Sequence, residues 1–205
     1  MRDVVLIGGG GHAASCLDAV DPGELRMVGY VSRDVDESLG LPYLDDDEAL
    51  PALVRTVPEA FVAVGDNARR AALSSTLTGL GFGMATIVAP TARVSPTATV
   101  GPGSAVLHGA LVGPRSRIGA GVVVNTAASV DHDCTVGDFA HIAPGTHLAG
   151  GVRFGTGSFA GVGVSVIPDV HIEDWAVIGA GSVVIDRVPA GTTVVGAPAR
   201  TRRRS

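Results

Sequence analysis

Every sixth residue from Val94 to Val184 is apolar, sixteen positions without a break: Val94, Val100, Val106, Val112, Ile118, Val124, Val130, Val136, Ile142, Leu148, Phe154, Ala160, Val166, Ile172, Ile178 and Val184. The residue four places after each is never large or charged, from Ala98 and Ser104 through Cys134 and Thr146 to Ser182 and Val188. A period of six is neither helical nor the alternation of an ordinary strand. It is the mark of a parallel β-helix built from hexapeptides, each supplying one short strand and one corner. Three hexapeptides close a triangular coil, so residues eighteen apart stack and about five coils fit in this stretch. The apolar and small residues then fill a narrow prism while the others face out. Seven residues directly after the apolar one are glycine (101, 113, 119, 137, 155, 161 and 179), which suits a chain turning at each corner.

Residues 1–84 read differently, as an α/β unit. Residues 4–7 form a short apolar run, followed by Gly8-Gly9-Gly10-Gly11-His12 and a helical stretch over 13–20. Further strands fit residues 27–31 and 60–64, and further helices fit 45–54 and 67–80. Such alternation implies a parallel sheet. Glycines between a strand and a helix let an anionic ligand approach the positive helix N-terminus. Gly8-x-Gly10-x-x-Ala13 meets the loose dinucleotide pattern, with Asp34 roughly 20 residues on. Only about half a Rossmann domain is present, so a single nucleotide fits better than a dinucleotide. Residues 86–88 can form a strand that leads into the coils.

Two domains are therefore expected, 1–84 and 85–205. A net charge of −5 argues against nucleic acid as the main partner. The one basic run is Arg200, Arg202, Arg203 and Arg204, read as a solvated tail. No apolar run is long enough for a bilayer span, and Cys16 and Cys134 make no disulfide framework. The simplest expectation is a soluble cytoplasmic protein without a membrane partner.

Six histidines are present, and the repeat register sorts them. His132 lies two after the inward Val130 and so faces out, flanked by Asp131 and Asp133. A carboxylate beside an imidazole fixes its tautomer and stabilises the imidazolium, as a general base requires. The plain alternative is a polar corner on a solvated face, and the residues alone weigh the two equally. Gly150 stacks over His132, leaving room for a ligand and a backbone N–H that stabilises an oxyanion. His141 is half a coil from His132, on another face; the two meet only across a subunit boundary, as in a cyclic trimer. His108, His147 and His171 have no adjacent carboxylate and read as surface residues. Histidine spacing fits a three-histidine zinc site poorly, and no metal is expected.

The repeat resembles that of the left-handed β-helix, hexapeptide-repeat acyltransferases. With the Rossmann-like N-terminal unit, it is similar to sugar acetyltransferases of the sialic-acid O-acetyltransferase and UDP-4-amino-sugar N-acetyltransferase type. The segments that carry the resemblance are Gly8 to His12, Ala63-Val64-Gly65-Asp66-Asn67-Ala68-Arg69, the run from Asn125 to Cys134, and Gly196-Ala197-Pro198-Ala199-Arg200. It implies a left-handed β-helix behind a nucleotide-sugar-binding domain, and acetyl-CoA as co-substrate. His132 would be the base, with Asp133 raising its basicity. His141 and the backbone near Gly150, Val162 and Ala180 would line the acetyl-CoA cleft between subunits of a homotrimer. Gly10, Gly11, His12 and Gly65 would hold the nucleotide. Ser32 and Arg33, followed by Asp34, stand at the second strand end, where members that bind UDP-sugars often carry an acidic pair. The nucleotide is thus open.

The function expected first is acetyl-CoA-dependent N-acetylation of a nucleotide-linked amino sugar. O-acetylation of a sialic acid or other glycan hydroxyl is the second reading. A non-catalytic scaffold trimer that binds nucleotide sugars is the third.

Overall fold

The fold was analysed in a computed structural model that describes residues 1–202, so Arg203 and Arg204 of the basic tail lie outside the described residues. The N-terminal unit runs β1 (Arg2–Ile7), α1 (Gly11–Asp18), β2 (Leu25–Val31), α2 (Leu50–Leu53), β3 (Glu59–Val62), α3 (Asn67–Leu80) and β4 (Gly83–Met84). Its sheet is parallel, in the order β2-β1-β3-β4. Val4, Val5 and Leu6 are wholly buried, as a central strand covered on both faces requires. Asp66 caps α3 by accepting from the Arg69 backbone N–H, and Gly81 ends it in the left-handed conformation.

Two local expectations shift. The helix read over 45–54 shrinks to a 3-10 turn, Asp47–Ala49, and the short α2. Pro51 has no N–H to continue the preceding turn, so the α-helix begins beside it. The two-residue strand β4 gave no apolar signal and was not foreseen.

The second half is a parallel β-solenoid of about six coils, consistent with the left-handed β-helix. Its first face stacks two-residue strands from Thr99–Val100 to His171–Ile172, and its second runs from Ile87–Val88 to Thr193–Val195. The third runs from Arg93–Val94 to Val183–Val184. The sixth coil arises because Ile87–Val88 pairs with Ala105–Val106 and Thr193–Val195 with Val177–Ile178. The coils thus extend beyond both ends of the six-residue beat. Fourteen of the sixteen beat residues are buried; Val94 and Val100, at the open end, are half-buried. Inward hydroxyls stay satisfied by bridging coils: Ser104, Ser116, Thr146 and Ser158 donate to the carbonyls of Gly119, Asp131, Gly161 and Glu173 at 2.6–2.8 Å. A buried hydroxyl without such a partner would be costly.

The glycines that follow the beat residue have another cause than turning. The left-handed backbone falls three residues after the beat, where all fourteen positions from Gly103 to Gly181 have φ between 55° and 72°. Eight of these are glycine, and Arg115, Ala127, Asp133, Phe139, Asp169 and Trp175 accept the strain. The glycines directly after the beat are needed because the next coil is too close. A Cβ on Gly155 would lie 2.5 Å from the Asp174 backbone nitrogen, and one on Gly137 would lie 2.6 Å from that of Thr156. Gly155→Ala must therefore push two coils apart. Gly163→Ala meets no atom within 4 Å and incurs only the left-handed cost, about 1–2 kcal/mol. Denaturant midpoints are expected to fall further for Gly155→Ala, and equal midpoints would refute the close-approach explanation.

Candidate active site

His132 lies at the corner between the third and first faces, in the tight connection from Ser129–Val130 to Thr135–Val136. The two flanking carboxylates do different work. Asp131 accepts the backbone N–H of His132 at 2.7 Å, whereas Asp133 Oδ2 lies 2.8 Å from the ring Nδ1. Asp133 is in the left-handed region, and Arg115, one coil below, grips both its oxygens at 2.6 and 2.7 Å. Arg115 first, and His132 second, hold the Asp133 carboxyl well below the usual carboxylate range. A permanently charged acceptor at Nδ1 leaves Nε2 as the basic nitrogen. The Gly150 position is not open space for a ligand, as the sequence suggested; the imidazole itself fills it. A Cβ there would sit 2.5 Å from His132 Cε1 and 2.6 Å from Nε2. Glycine thus lets the ring lie against the coil above.

A second locus lies at the glycine loop. A cleft of about 550 Å³ opens between the ends of β1, β2 and β3, and Gly10, His12, Ser32, Arg33 and Gly65 line it; Gly11 opens α1 behind them. Asp34 lines this cleft too, but Asp36 reaches the loop, accepting the Gly10 N–H at 3.0 Å. Asp36 was not foreseen, because the chain after β2 doubles back before offering its carboxylate.

His141 faces this cleft from below. It sits in the second face, buried, with Nδ1 3.3 Å from the Gly65 carbonyl and Nε2 3.1 Å from the Asn125 amide nitrogen. Those partners fix a neutral tautomer: Nδ1–H donates to the carbonyl and Nε2 accepts from the amide. The His12 ring lies 6.0 Å from that of His141. Val162 and Ala180 are exposed and stacked at the corner between the second and third faces. Within one chain, then, His132 and Gly150 occupy one corner, Val162 and Ala180 another, and His141 the face beneath the cleft.

His108 is not free of carboxylates. Its Nε2 lies 3.4 Å from Asp18 Oδ2 and 3.1 Å from the Asp18 carbonyl, pinning α1 to the coils. No cluster of three metal-ligating side chains occurs among the described residues.

The α/β unit rests on the second face through residues the sequence did not single out for this. Arg70 and Asn67 of α3 are both buried, and Asn67 Nδ2 donates to the carbonyls of Gly157 and Ser158 at 3.0 and 3.2 Å. Both stand in the first turn of α3, and the local sequence carries no signal that sets them apart from exposed Arg69.

A Rossmann-like unit with a glycine loop, set on a hexapeptide β-helix that presents a carboxylate-held histidine, defines the hexapeptide-repeat acyltransferases. Comparisons with known proteins narrow this class. Residues 3–77 match the PglD N-terminal domain family. Perosamine N-acetyltransferase from Caulobacter crescentus, solved in complex with CoA and GDP-perosamine, is 37% identical, with 100% of this chain and 98% of that one aligned and a TM-score of 0.96. That protein was solved with a histidine replaced by asparagine and, separately, by alanine. The acetyltransferase domain of PglB from Neisseria gonorrhoeae, solved in complex with acetyl coenzyme A, is 34% identical over 98% of this chain and 99% of its own, with a TM-score of 0.90. WeeI from Acinetobacter baumannii, 24% identical over 98% of this chain and 100% of its own, shares the fold with a TM-score of 0.84. A search of curated protein sequences finds no match. The chain belongs to the family that includes perosamine N-acetyltransferase and the PglB acetyltransferase domain.

Burial, with the Arg70 charge adding to it, pulls the pKa of both His12 and His141 down to about 4. An unfolded histidine titrates near ~6.5, so between these values the unfolded chain binds more protons. Stability is therefore expected to fall as pH drops below about 6.5 and to level off only below about 4. Thermal unfolding between pH 7 and pH 4.5 should show this slope, and His141→Gln should flatten it. An unchanged slope in the variant would mean that His141 is not buried neutral.

Proposed function

We propose that this protein transfers an acetyl group from acetyl-CoA to the amino group of a nucleotide-linked amino sugar. The observation that carries the reading is the His132–Asp133–Arg115 chain, whose free Nε2 is a base with a fixed tautomer. Full-length similarity to an N-acetyltransferase solved with CoA and a nucleotide-linked sugar supports the substrate classes. Residues 1–84 serve as the nucleotide-sugar domain and residues 85–205 as the acyltransferase domain.

The cleft with Gly10, Gly11, His12, Ser32, Arg33 and Gly65 holds the nucleotide, its diphosphate facing the N-terminus of α1. His132 Nε2 accepts a proton from the sugar amine as its nitrogen lone pair attacks the thioester carbonyl. The carbon–sulfur bond of the tetrahedral intermediate then breaks, and the departing sulfur takes the proton from His132 to give the CoA thiol. The products are the acetamido sugar and CoA, with no acyl-enzyme. Cys134 is buried, its thiol pointing to the carbonyl of Ala149 at 3.2 Å, and Cys16 is pushed up to about 12 by burial, so neither is a nucleophile.

Oligomerisation completes the site in this reading. The cleft lies over the second face, whereas His132 lies on the corner opposite that face. A base of one copy reaches a nucleotide held by the next when three copies pack around an axis. Exposed Leu111, Val162, Ile167 and Ile185 on and beside the third face provide apolar surface for that packing. His141, Gly150, Val162 and Ala180 then border the acetyl-CoA groove between copies. Two buried, unpaired cysteines accord with a reducing, cytoplasmic setting, and no helix among the described residues is long and apolar enough to cross a membrane.

Turnover of acetyl-CoA with GDP-, UDP- and dTDP-linked 4-amino sugars, and with the matching hydroxyl sugars, tests the reading. His132→Ala is expected to lower kcat about 10²–10⁴-fold. Gly150→Ala, which displaces the same ring, is expected to lower kcat as well. Wild-type turnover of hydroxyl sugars alone, or undiminished turnover by His132→Ala, would overturn it.

A further inference from the structure

Arg70 is among the largest fully buried side chains of the protein, 1% exposed. It makes no salt bridge among the described residues, so its charge is met by neutral acceptors. Nε donates to the Gly121 carbonyl at 2.7 Å. Nη1 donates to the carbonyls of Val64 and Gly65 at 3.0 and 3.2 Å. Nη2 donates to the carbonyl of Phe139 at 2.8 Å, that of Ala140 at 3.3 Å, and Asn67 Oδ1 at 2.9 Å. All three nitrogens are committed, and they join two groups of backbone. Val64 and Gly65 line the nucleotide cleft. Gly121, Phe139 and Ala140 belong to successive coils at the corner between the first and second faces.

Burying a guanidinium without a carboxylate carries a large desolvation cost before its hydrogen bonds are counted. A hydrophobic side chain would fill the same seam without that cost. What such a side chain lacks is direction: five N–H groups in a rigid plane fix the carbonyls around them. The Gly65 carbonyl so held also accepts from His141 Nδ1, on the strand beneath the cleft. Cleft and coils thereby share one set of hydrogen bonds.

We propose that Arg70 is a positioning residue for acetyl transfer: its buried guanidinium fixes the height of the nucleotide cleft along the β-helix, so that an amine tethered to the nucleotide arrives at the base. The inference rests on the transfer reaction given above. Lysine in its place keeps the charge but reaches fewer of these carbonyls, and methionine keeps the volume alone.

The test compares wild type with Arg70→Lys and Arg70→Met. Calorimetric titration with CoA first establishes the fraction of each variant that is folded and competent. The expected result is CoA affinity and stoichiometry as in wild type, with kcat on the nucleotide amino sugar reduced by about 10²-fold, as for a misplacement on the order of 1 Å. A kcat within twofold of wild type in both variants would overturn the proposal. So would a kcat loss matched by an equal loss of CoA stoichiometry, which marks a merely structural residue. Hydrogen exchange supplies a readout independent of turnover: the amides of residues 63–66 should exchange at least tenfold faster in both variants, with the coils beyond residue 165 unchanged. Exchange unaltered at 63–66 would sink the proposal. Inactive wild-type protein would refute the transfer reaction itself and leave the clamp to be judged by exchange.

Discussion

The distance between coils governs this structure. Each strand is only two residues long on most of the prism, so a strand has little stability of its own. The ladder of N–H to carbonyl bonds between coils makes it cooperative, as in Thr135 donating to Val152 and Gly137 to Phe154. That ladder demands backbones at strand spacing, about 4.8 Å. Wherever a corner brings the next coil closer still, a Cβ has no place. The stacked glycines 101, 119, 137 and 155 follow from this, all on the corner between the first and second faces.

The same constraint shapes the chemistry. His132 belongs to a corner, where side chains project outward, yet a free imidazole would sample several rotamers. Stacking removes that freedom at three points. Arg115 below fixes Asp133, Asp133 beside fixes the ring, and Gly150 above gives the ring a flat surface to lie on. Residues at 115, 132–133 and 150 lie in adjacent coils. A solenoid thus preorganises a site without a loop, since its repeat delivers supporting residues at fixed height.

This explains which parts were legible in the sequence. The beat from Val94 to Val184 reports the inward face directly, and the helix expected over 67–80 forms at Asn67–Leu80. The outward direction of His132 followed from its distance to Val130. The reason for the glycines did not, because a turn and a close approach select the same residue. Nor did the seam between the two halves. Nothing in the local pattern marks Arg70 as inward: Arg69 beside it is exposed and borders the cleft. Helix α3 carries both, and only the position of the coils decides which arginine is buried. His108 was read as a surface residue for the same reason, since its partner Asp18 is distant in sequence.

The two halves also differ in how they tolerate charge, and that difference bears on where a ligand binds. The prism interior is apolar or hydroxylic throughout: Ser104, Ser116, Thr146 and Ser158 donate to carbonyls of a neighbouring coil, and Ser182 accepts the Gly196 N–H. The seam is polar: Arg70, Asn67, His12 and His141 lie along it, with the histidines held neutral by burial and by the positive charge beside them. A neutral His12 at the cleft keeps its lone pair or N–H available to a sugar or phosphate oxygen, as its tautomer dictates. The Arg70 charge stays within the seam, shielded from solvent, while Arg33 and Arg69 border the cleft from outside it. An anionic ligand between these arginines and the α1 N-terminus meets positive groups on both sides, with the carboxylates of Asp34 and Asp47 also lining the cleft. The Asp36 carboxylate that now accepts the Gly10 N–H opposes it, so binding requires either a hydroxyl turned toward Asp36 or its displacement from the loop. A nucleotide carries both groups, diphosphate oxygens for the arginines and ribose hydroxyls for the carboxylate.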